Sequence, residues 1–128
     1  MIFSCKGKVE NKHVVYLSPD CGCCHDWVKH MEKNNFPLEK NLNSNMYDVK
    51  INAGLPIDLA SCHTALINGY FIEGHVPAND VKRLIQQKPN GIIGLTVPGM
   101  PAGINVPGME VNDEKANFDV LAIDSNGK

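Results

Sequence analysis

Positive charge is nowhere concentrated in this chain. No run of four or more basic residues occurs among its 128 positions, and 12 lysines and arginines face 14 acidic residues for a formal charge of −2. A surface for nucleic acid or anionic lipid needs clustered cations, so neither partner is expected. No apolar stretch approaches the roughly 20 residues of a membrane span, so no spanning segment is expected either. The cysteines do not form a disulfide framework: five is an odd count, and the spacing is wrong for one. A chain of this length can bury an ordinary core without covalent staples. No composition break marks a domain boundary. The expected organisation is one domain over residues 13–124, a flexible amino-terminal segment at 1–12 and a fraying end at 125–128. The opening Met1-Ile2-Phe3-Ser4-Cys5 is too short to be a secretion signal. Cys5 reads as a free thiol on a mobile end, the alternative being the stub of a trimmed lipoprotein signal.

What the chain does have is sulfur gathered in one place. Three cysteines fall within four residues in Asp20-Cys21-Gly22-Cys23-Cys24-His25, and a fourth follows in Ser61-Cys62-His63-Thr64. Thiolates are soft anionic ligands, and packing several together is unfavourable unless a metal or a disulfide neutralises them. The preceding His13-Val14-Val15-Tyr16-Leu17 reads as a buried strand. From Cys24 to Asn35, the residues Cys24, Trp27, Val28 and Met31 share one helical face, opposite Asp26, Lys29, Glu32 and Lys33. The sulfurs therefore stand where a strand passes into a helix, at an N-terminus whose partial positive charge favours anions. Metal or redox chemistry is the expectation.

The remaining pattern is that of an α/β fold. Phe36 to Lys40 reads as a short strand. Met46, Val49 and Ala53 have helical spacing, with Gly54 and Pro56 as stop signals. Ala65-Leu66-Ile67 and Tyr70-Phe71-Ile72 flank Asn68-Gly69, the dipeptide a type I′ hairpin turn prefers. Pro77 opens a helix with Val81, Leu84 and Ile85 as its buried stripe, closed by Pro89-Asn90-Gly91. Gly91 to Asn112 is rich in glycine and proline and holds two near-repeats, Val97-Pro98-Gly99-Met100-Pro101 and Val106-Pro107-Gly108-Met109-Glu110. That stretch reads as an ordered functional loop or a flexible flap. Phe118 to Ile123 is a last strand. The order predicts a mixed central sheet flanked by helices.

Cys21-Gly22-Cys23-Cys24 contains a Cys-x-x-Cys pair after a strand and opening a helix, which resembles the thioredoxin active site. Cys23 stands where thioredoxins usually carry proline. In thioredoxin-like folds a cis-proline loop followed by a hairpin faces that pair, and here Cys62 to Gly69 falls in that place, with His63 near the proline position. The resemblance implies that Cys62 lies against the early trio. The alternative for Cys62 is a small buried hydrophobe, as free cysteine often is. Structural zinc normally uses two separated Cys-x-x-Cys pairs or a Cys/His mixture. Here the second half offers Cys62 and, as candidates, His63 or His75. Cu(I) is softer, accepts two or three ligands and lets thiolates bridge several ions, so a compact set of sulfurs suits it better. An iron–sulfur cluster fits no familiar spacing here. Met100 and Met109 occupy matching Val-Pro-Gly-Met contexts and read either as thioether ligands or as apolar lids. His75 reads as a ligand or as a polar strand-end residue. His25 can ligate when neutral. His13 and His30 are expected to face solvent, and Trp27 and Met31 to lie in the core.

Four blocks carry a wider resemblance: Pro19 to Cys24, Leu59 to Ala65, Gly69 to Pro77 and Gly94 to Pro101. Together they resemble the CopG copper-resistance family, whose relatives are often filed as metal-binding domains of unknown function. The similarity runs from about residue 13 to 124. It implies a thioredoxin-like fold, a periplasmic or cell-envelope setting with copper-handling proteins as partners, and copper bound through the cysteines. The expected site is thus Cys21, Cys23, Cys24 and Cys62, with His75, Met100 and Met109 around it, holding Cu(I), alone or as a polynuclear cluster. Electron exchange between Cu(I) and Cu(II) is part of that expectation. A different class of function remains open, a thiol–disulfide oxidoreductase with Cys21 as nucleophile and Cys24 as resolving thiol. A passive structural zinc module is a third.

Overall fold

In a computed structural model, which describes residues 13–18, 21–42, 45–99, 101–110 and 114–125, the run after His13 forms strand β1, Val14–Leu17. Its alternation turns Val15 and Leu17 into the core. Helix α1, Gly22–Lys33, follows and buries Cys24, Trp27, Val28 and Met31, the stripe its spacing predicts. It starts two residues earlier than the apolar pattern alone indicates, so Cys23 and Cys24 both sit in the first turn. It ends at Asn34-Asn35, where Asn35 takes a left-handed φ of 72° and Asn34 Nδ2 donates to the carbonyl of His30.

Strand β2 is Glu39–Leu42, later than the expected 36–40. Pro37 has no N–H for a ladder, so the lead-in residues Phe36 and Leu38 bury their side chains while pairing starts beyond them. Helix α2, Met46–Asn52, is capped by Asn45, which accepts from the N–H of Asp48. The residue α2 buries is Lys50, rather than an apolar member of the expected stripe. A short 3₁₀ turn at Ile57–Leu59 leads into the hairpin of β3, Thr64–Ile67, and β4, Tyr70–Glu73. Asn68 and Gly69 have φ of 51° and 85°, the two positive values that the Asn-Gly signal predicts. Helix α3, Ala78–Gln87, buries Ala78, Val81 and Leu84.

One strand was not expected. β5, Ile92–Thr96, lies inside the stretch that reads as loop. Its apolar residues are interrupted by Gly94, which weakens the strand signal. That glycine is required, because a Cβ there would lie 2.5 Å from the Phe71 ring and carbonyl, and the ladder is irregular between Ile92 and Gly94. β6, Leu121–Asp124, is shorter than the expected 118–123, while Phe118 and Val120 pack on the core from outside the ladder.

Among the described residues, six strands form one mixed sheet in the order β2-β1-β3-β4-β5-β6. β1 runs parallel to β2 and β4 to β5, and the other pairs are antiparallel. Alternation along the strands gives the sheet two cores. Val15, Leu17, Ala65, Ile67, Ile72 and Leu95 pack with α1 and α3 on one face, and Leu55, Phe71 and Ile123 cluster on the other. No helix among the described residues is long and apolar enough to cross a membrane.

Candidate metal centre

β1 delivers the chain to the sulfur-rich turn, where the N–H of Cys21 donates to the Ser18 carbonyl at 3.2 Å. Cys21 occupies the N-cap of α1 without capping it through its side chain, and no acidic residue stands in the first turn. The helix terminus therefore presents its partial positive charge to the sulfurs of its first turn. Cys24 points into the core, and Cys21 and Cys23 are half-buried. Cys21 and Cys24 are joined as a disulfide, while Cys23 and Cys62 are free. The Cys21 and Cys23 sulfurs are 3.5 Å apart.

Cys62 enters from the segment before β3. Its sulfur joins the trio, so that the ligand atoms of Cys21, Cys23, Cys24 and Cys62 all lie within 4.8 Å of one another. A second set shares the same sulfur: Cys62, His63 and His75 are likewise within 4.8 Å. His63 Nδ1 stands 3.3 Å from Cys62 Sγ, and His75 Nε2 stands 3.7 Å from it. His75 Nδ1 donates to the Pro107 carbonyl at 2.6 Å, which leaves the Nε2 lone pair facing the sulfur. Both imidazoles are fully buried. Burial pushes the His63 pKa well below its ordinary value, helped by the nearby His75 and Lys50. Burial also lowers His75, against the pull of the Pro107 carbonyl. Burial raises the Cys62 thiol to about 11, against the hydrogen bond from Ser61.

Two layers hold this arrangement. Trp27 of α1 packs against the His63 ring, with centroids 4.5 Å apart and planes tilted by 38°, and donates its indole N–H to the Val76 carbonyl, beside His75. Beneath the Cys62 segment lies a buried ion pair between Lys50 and Glu73. Lys50 also donates to Thr64 Oγ1, Thr64 donates to Glu73, and the N–H of Ser61 donates to Glu73 Oε2 at 2.8 Å. One carboxylate thus ties both sides of Cys62-His63. Neither Lys50 nor Glu73 stands out in the sequence. The signal was an acidic residue ending the strand Tyr70-Phe71-Ile72-Glu73, all but its first residue buried.

The glycine- and proline-rich loop closes over His75. Gly108, at φ 85°, approaches so closely that a Cβ would lie 2.9 Å from His75 Nδ1 and from the Trp27 amide nitrogen. Its own N–H donates to Glu110 Oε1. Met109 follows, half-buried, with its N–H on the Val106 carbonyl. Met100 lies outside the described residues, as does Cys5. Other histidines are placed elsewhere. His25 Nδ1 pairs with Lys40 Nζ at 3.0 Å on the exposed side. His13 bonds Asn68. His30, expected to face solvent, is half-buried and accepts the N–H of Ala78, because the last turn of α1 packs on the start of α3.

A donor set of up to four thiols and two neutral imidazoles is a soft-metal environment, and it fits copper. Residues 59–109 match the family model described as "Protein of unknown function, DUF411". No curated protein matches the chain. Two solved structures are similar to it over nearly their whole length. "Copper resistance protein copG- Form 1" matches with a TM-score of 0.82 and 39% identity, covering 91% of this chain and 90% of that one. "Copper resistance protein copG- Form 2" matches with a TM-score of 0.84 and 39% identity, covering 91% of each. On that identity and coverage, this chain belongs to the CopG copper-resistance protein family.

Proposed function

We propose that this protein serves copper resistance by holding Cu(I) through Cys21, Cys23, Cys24 and Cys62, with His75, Met100 and Met109 as outer candidates. The observation that carries the reading is the meeting of four sulfurs within 4.8 Å, one of them from a different part of the chain. Soft thiolates in so small a volume favour a monovalent soft ion and can bridge more than one. The Cys21–Cys24 disulfide makes the site redox-dependent. Two electrons and two protons convert the disulfide into two thiols and complete the four-sulfur set; oxidation dismantles it. Copper, when bound, supplies a one-electron couple at that place, and exchange between Cu(I) and Cu(II) follows as the proposed activity. The strand order β2-β1-β3-β4, with β2 parallel and β3 antiparallel to β1, supports a thioredoxin-like unit that β5 and β6 extend on one side. A cell-envelope setting completes the proposal; the oxidised Cys21–Cys24 pair is in keeping with it.

The test is copper counted per chain after purification under reductant, for the wild type and for Cys62→Ser. Bound Cu(I) that falls in the variant supports the four-sulfur site. Strong zinc occupancy with no copper uptake overturns it. A second reading, a thiol–disulfide oxidoreductase, is favoured by the disulfide at the N-terminus of α1. It requires metal-free protein to turn over a protein disulfide through Cys21. Cys23 weighs against it, since a third thiol 3.5 Å away invites scrambling.

A further inference from the structure

Ala78, the first residue of α3, is buried, and its N–H belongs to the helix end that finds no acceptor within the helix. The N-cap residue is Pro77, whose side chain has no acceptor to offer. The acceptor comes from another helix: His30 Nε2, in the last turn of α1, takes that N–H at 3.1 Å. We propose that His30 is a positioning residue of the copper centre: it caps α3 from α1, fixes the segment that carries His75, and releases that segment when protonated. Copper binding then weakens in acid through a histidine that touches no copper. The proposal rests on the reading above in one respect, that His75 stands beside the bound ion.

Glu73 ends β4, and Gly74 to Pro77 lead into α3. Two residues of α1, one turn apart, grip this connection. Trp27 donates its indole N–H to the Val76 carbonyl at 2.9 Å, and His30 accepts the Ala78 N–H. His75 lies just before the first of these contacts, and its own Nδ1 is held by the Pro107 carbonyl. The backbone behind His75 is thus set by α1, and its ring by the loop. The Trp27 contact is indifferent to pH. The His30 contact is not, because a neutral imidazole has one ring nitrogen free to accept and an imidazolium has none. After protonation two donors, Nε2–H and the Ala78 N–H, face each other. The buried Ala78 N–H is then left unpaired, which favours moving the segment.

The surroundings of His30 set when this happens. The N-terminus of α3 turns its partial positive charge on the ring and disfavours an imidazolium there. Burial acts in the same direction, as does Lys33 on the same helix, while Glu110 from the loop over His75 acts against them. Asp80, in the first turn of α3, is paired with Arg83 at 3.3 Å. His30 therefore stays neutral and capping at neutral pH and releases Ala78 as pH falls below the ordinary histidine range. Once charged, the ring is attracted by Glu110, whose Oε1 accepts the Gly108 N–H in the loop that packs on His75. One proton thus acts on both supports of His75, the segment and the loop.

The chain has a single tryptophan, so its indole N–H gives one peak in a proton–nitrogen correlation spectrum and reports on the Val76 carbonyl. That peak is followed in full-length, metal-free protein with the Cys21–Cys24 disulfide closed, from about pH 7.5 to about pH 4.5. The proteins are the wild type, His30→Gln, which keeps an acceptor that does not titrate, and His30→Leu, which has none. The wild-type peak should move with a midpoint below about 6.5 that His30→Gln lacks, and the His30→Leu peak should be displaced already at neutral pH. Cu(I) affinity is then measured on reduced protein by competition with a Cu(I) chelator. At about pH 7, His30→Leu should bind about tenfold more weakly than the wild type, and His30→Gln as the wild type does. As pH falls all three lose copper, because the thiolates take up protons. The ratio of His30→Gln to wild-type affinity cancels that loss and should rise from about one at about pH 7 to several-fold at about pH 5. A ratio that does not change with pH overturns the proposal, as does folded His30→Leu that binds like the wild type. If His30→Leu does not fold, the His30→Gln ratio decides. Wild type that binds no copper overturns the four-sulfur reading and this proposal with it. Copper-binding wild type with no midpoint that depends on His30 overturns the proposal alone.

Discussion

At Glu73 a single buried carboxylate takes donors from Lys50, Thr64 and the backbone of Ser61. Two of these flank Cys62-His63, so the placement of the distal sulfur and its neighbouring imidazole depends on a charge pair hidden under the sheet. Removing one partner of such a pair strands the other charge. Glu73→Gln is expected to destabilise the metal-free chain by about 3–5 kcal/mol, read as a lower urea midpoint. Adding Lys50→Met, which removes the stranded cation, should restore most of the loss. An unchanged midpoint for the single variant would show that the pair contributes nothing. The residues of the site differ in how far they could be read beforehand. Cys21, Cys23 and Cys24 announce themselves because they are neighbours in sequence. Cys62 came into view through resemblance to a loop that faces such a trio. His63 is legible as a neighbour of Cys62 and Glu73 is not legible at all, since their importance lies in which atoms they meet across the sheet.

Among the elements, α1 carries the most. Its N-terminus presents the sulfurs, its middle packs Trp27 against His63, and its last turn reaches α3 through His30, which accepts the Ala78 N–H. Burial is the main cause that lowers His30 below 6.5, opposed by Glu110 and aided by Lys33. The unfolded chain therefore binds a proton that the folded chain resists. Stability from this contact is complete above the unfolded value and is lost as pH falls toward the lower folded one. His63 and His75 shift in the same direction. The metal-free protein should melt at a lower temperature at about pH 5 than at about pH 7, and His30→Gln, which keeps an acceptor for Ala78, should flatten part of that fall. A pH dependence identical in the variant would remove His30 from the account. The elements were legible in proportion to their local signals. The Asn68-Gly69 hairpin and the α1 stripe are written in spacing and turn chemistry. β5 was not, because Gly94 is dictated by the nearness of Phe71, a fact of the neighbouring strand. β2 moved because Pro37 cannot join a ladder.

For the molecule as a whole, the main core is built from aliphatic residues, Trp27, Met31 and Phe36, and among the described cysteines only Cys24 is fully inside, the others lining its edge. A fold so constructed does not need metal to form. Chelation under reductant should leave the far-UV circular dichroism and a cooperative unfolding transition in place. Restoring copper at about 100 times its dissociation constant should then add about 2.7 kcal/mol, the linkage expected of a ligand bound only by the native state. Unfolding on chelation would instead mark a structural zinc module.

By itself the amino-acid sequence determined the chemistry on offer. Adjacent cysteines at a strand-to-helix turn, the hairpin dipeptide and the helical stripes are local patterns, and local patterns follow from backbone and side-chain preferences within a few residues. Only the tertiary structure decided the rest. It set which sulfur meets the trio, which imidazole nitrogens face it, and which buried charge ties the segment down. Those are contacts between residues far apart in the chain, fixed by how the strands order themselves in the sheet and by what fits against Trp27, Phe71 and Gly108.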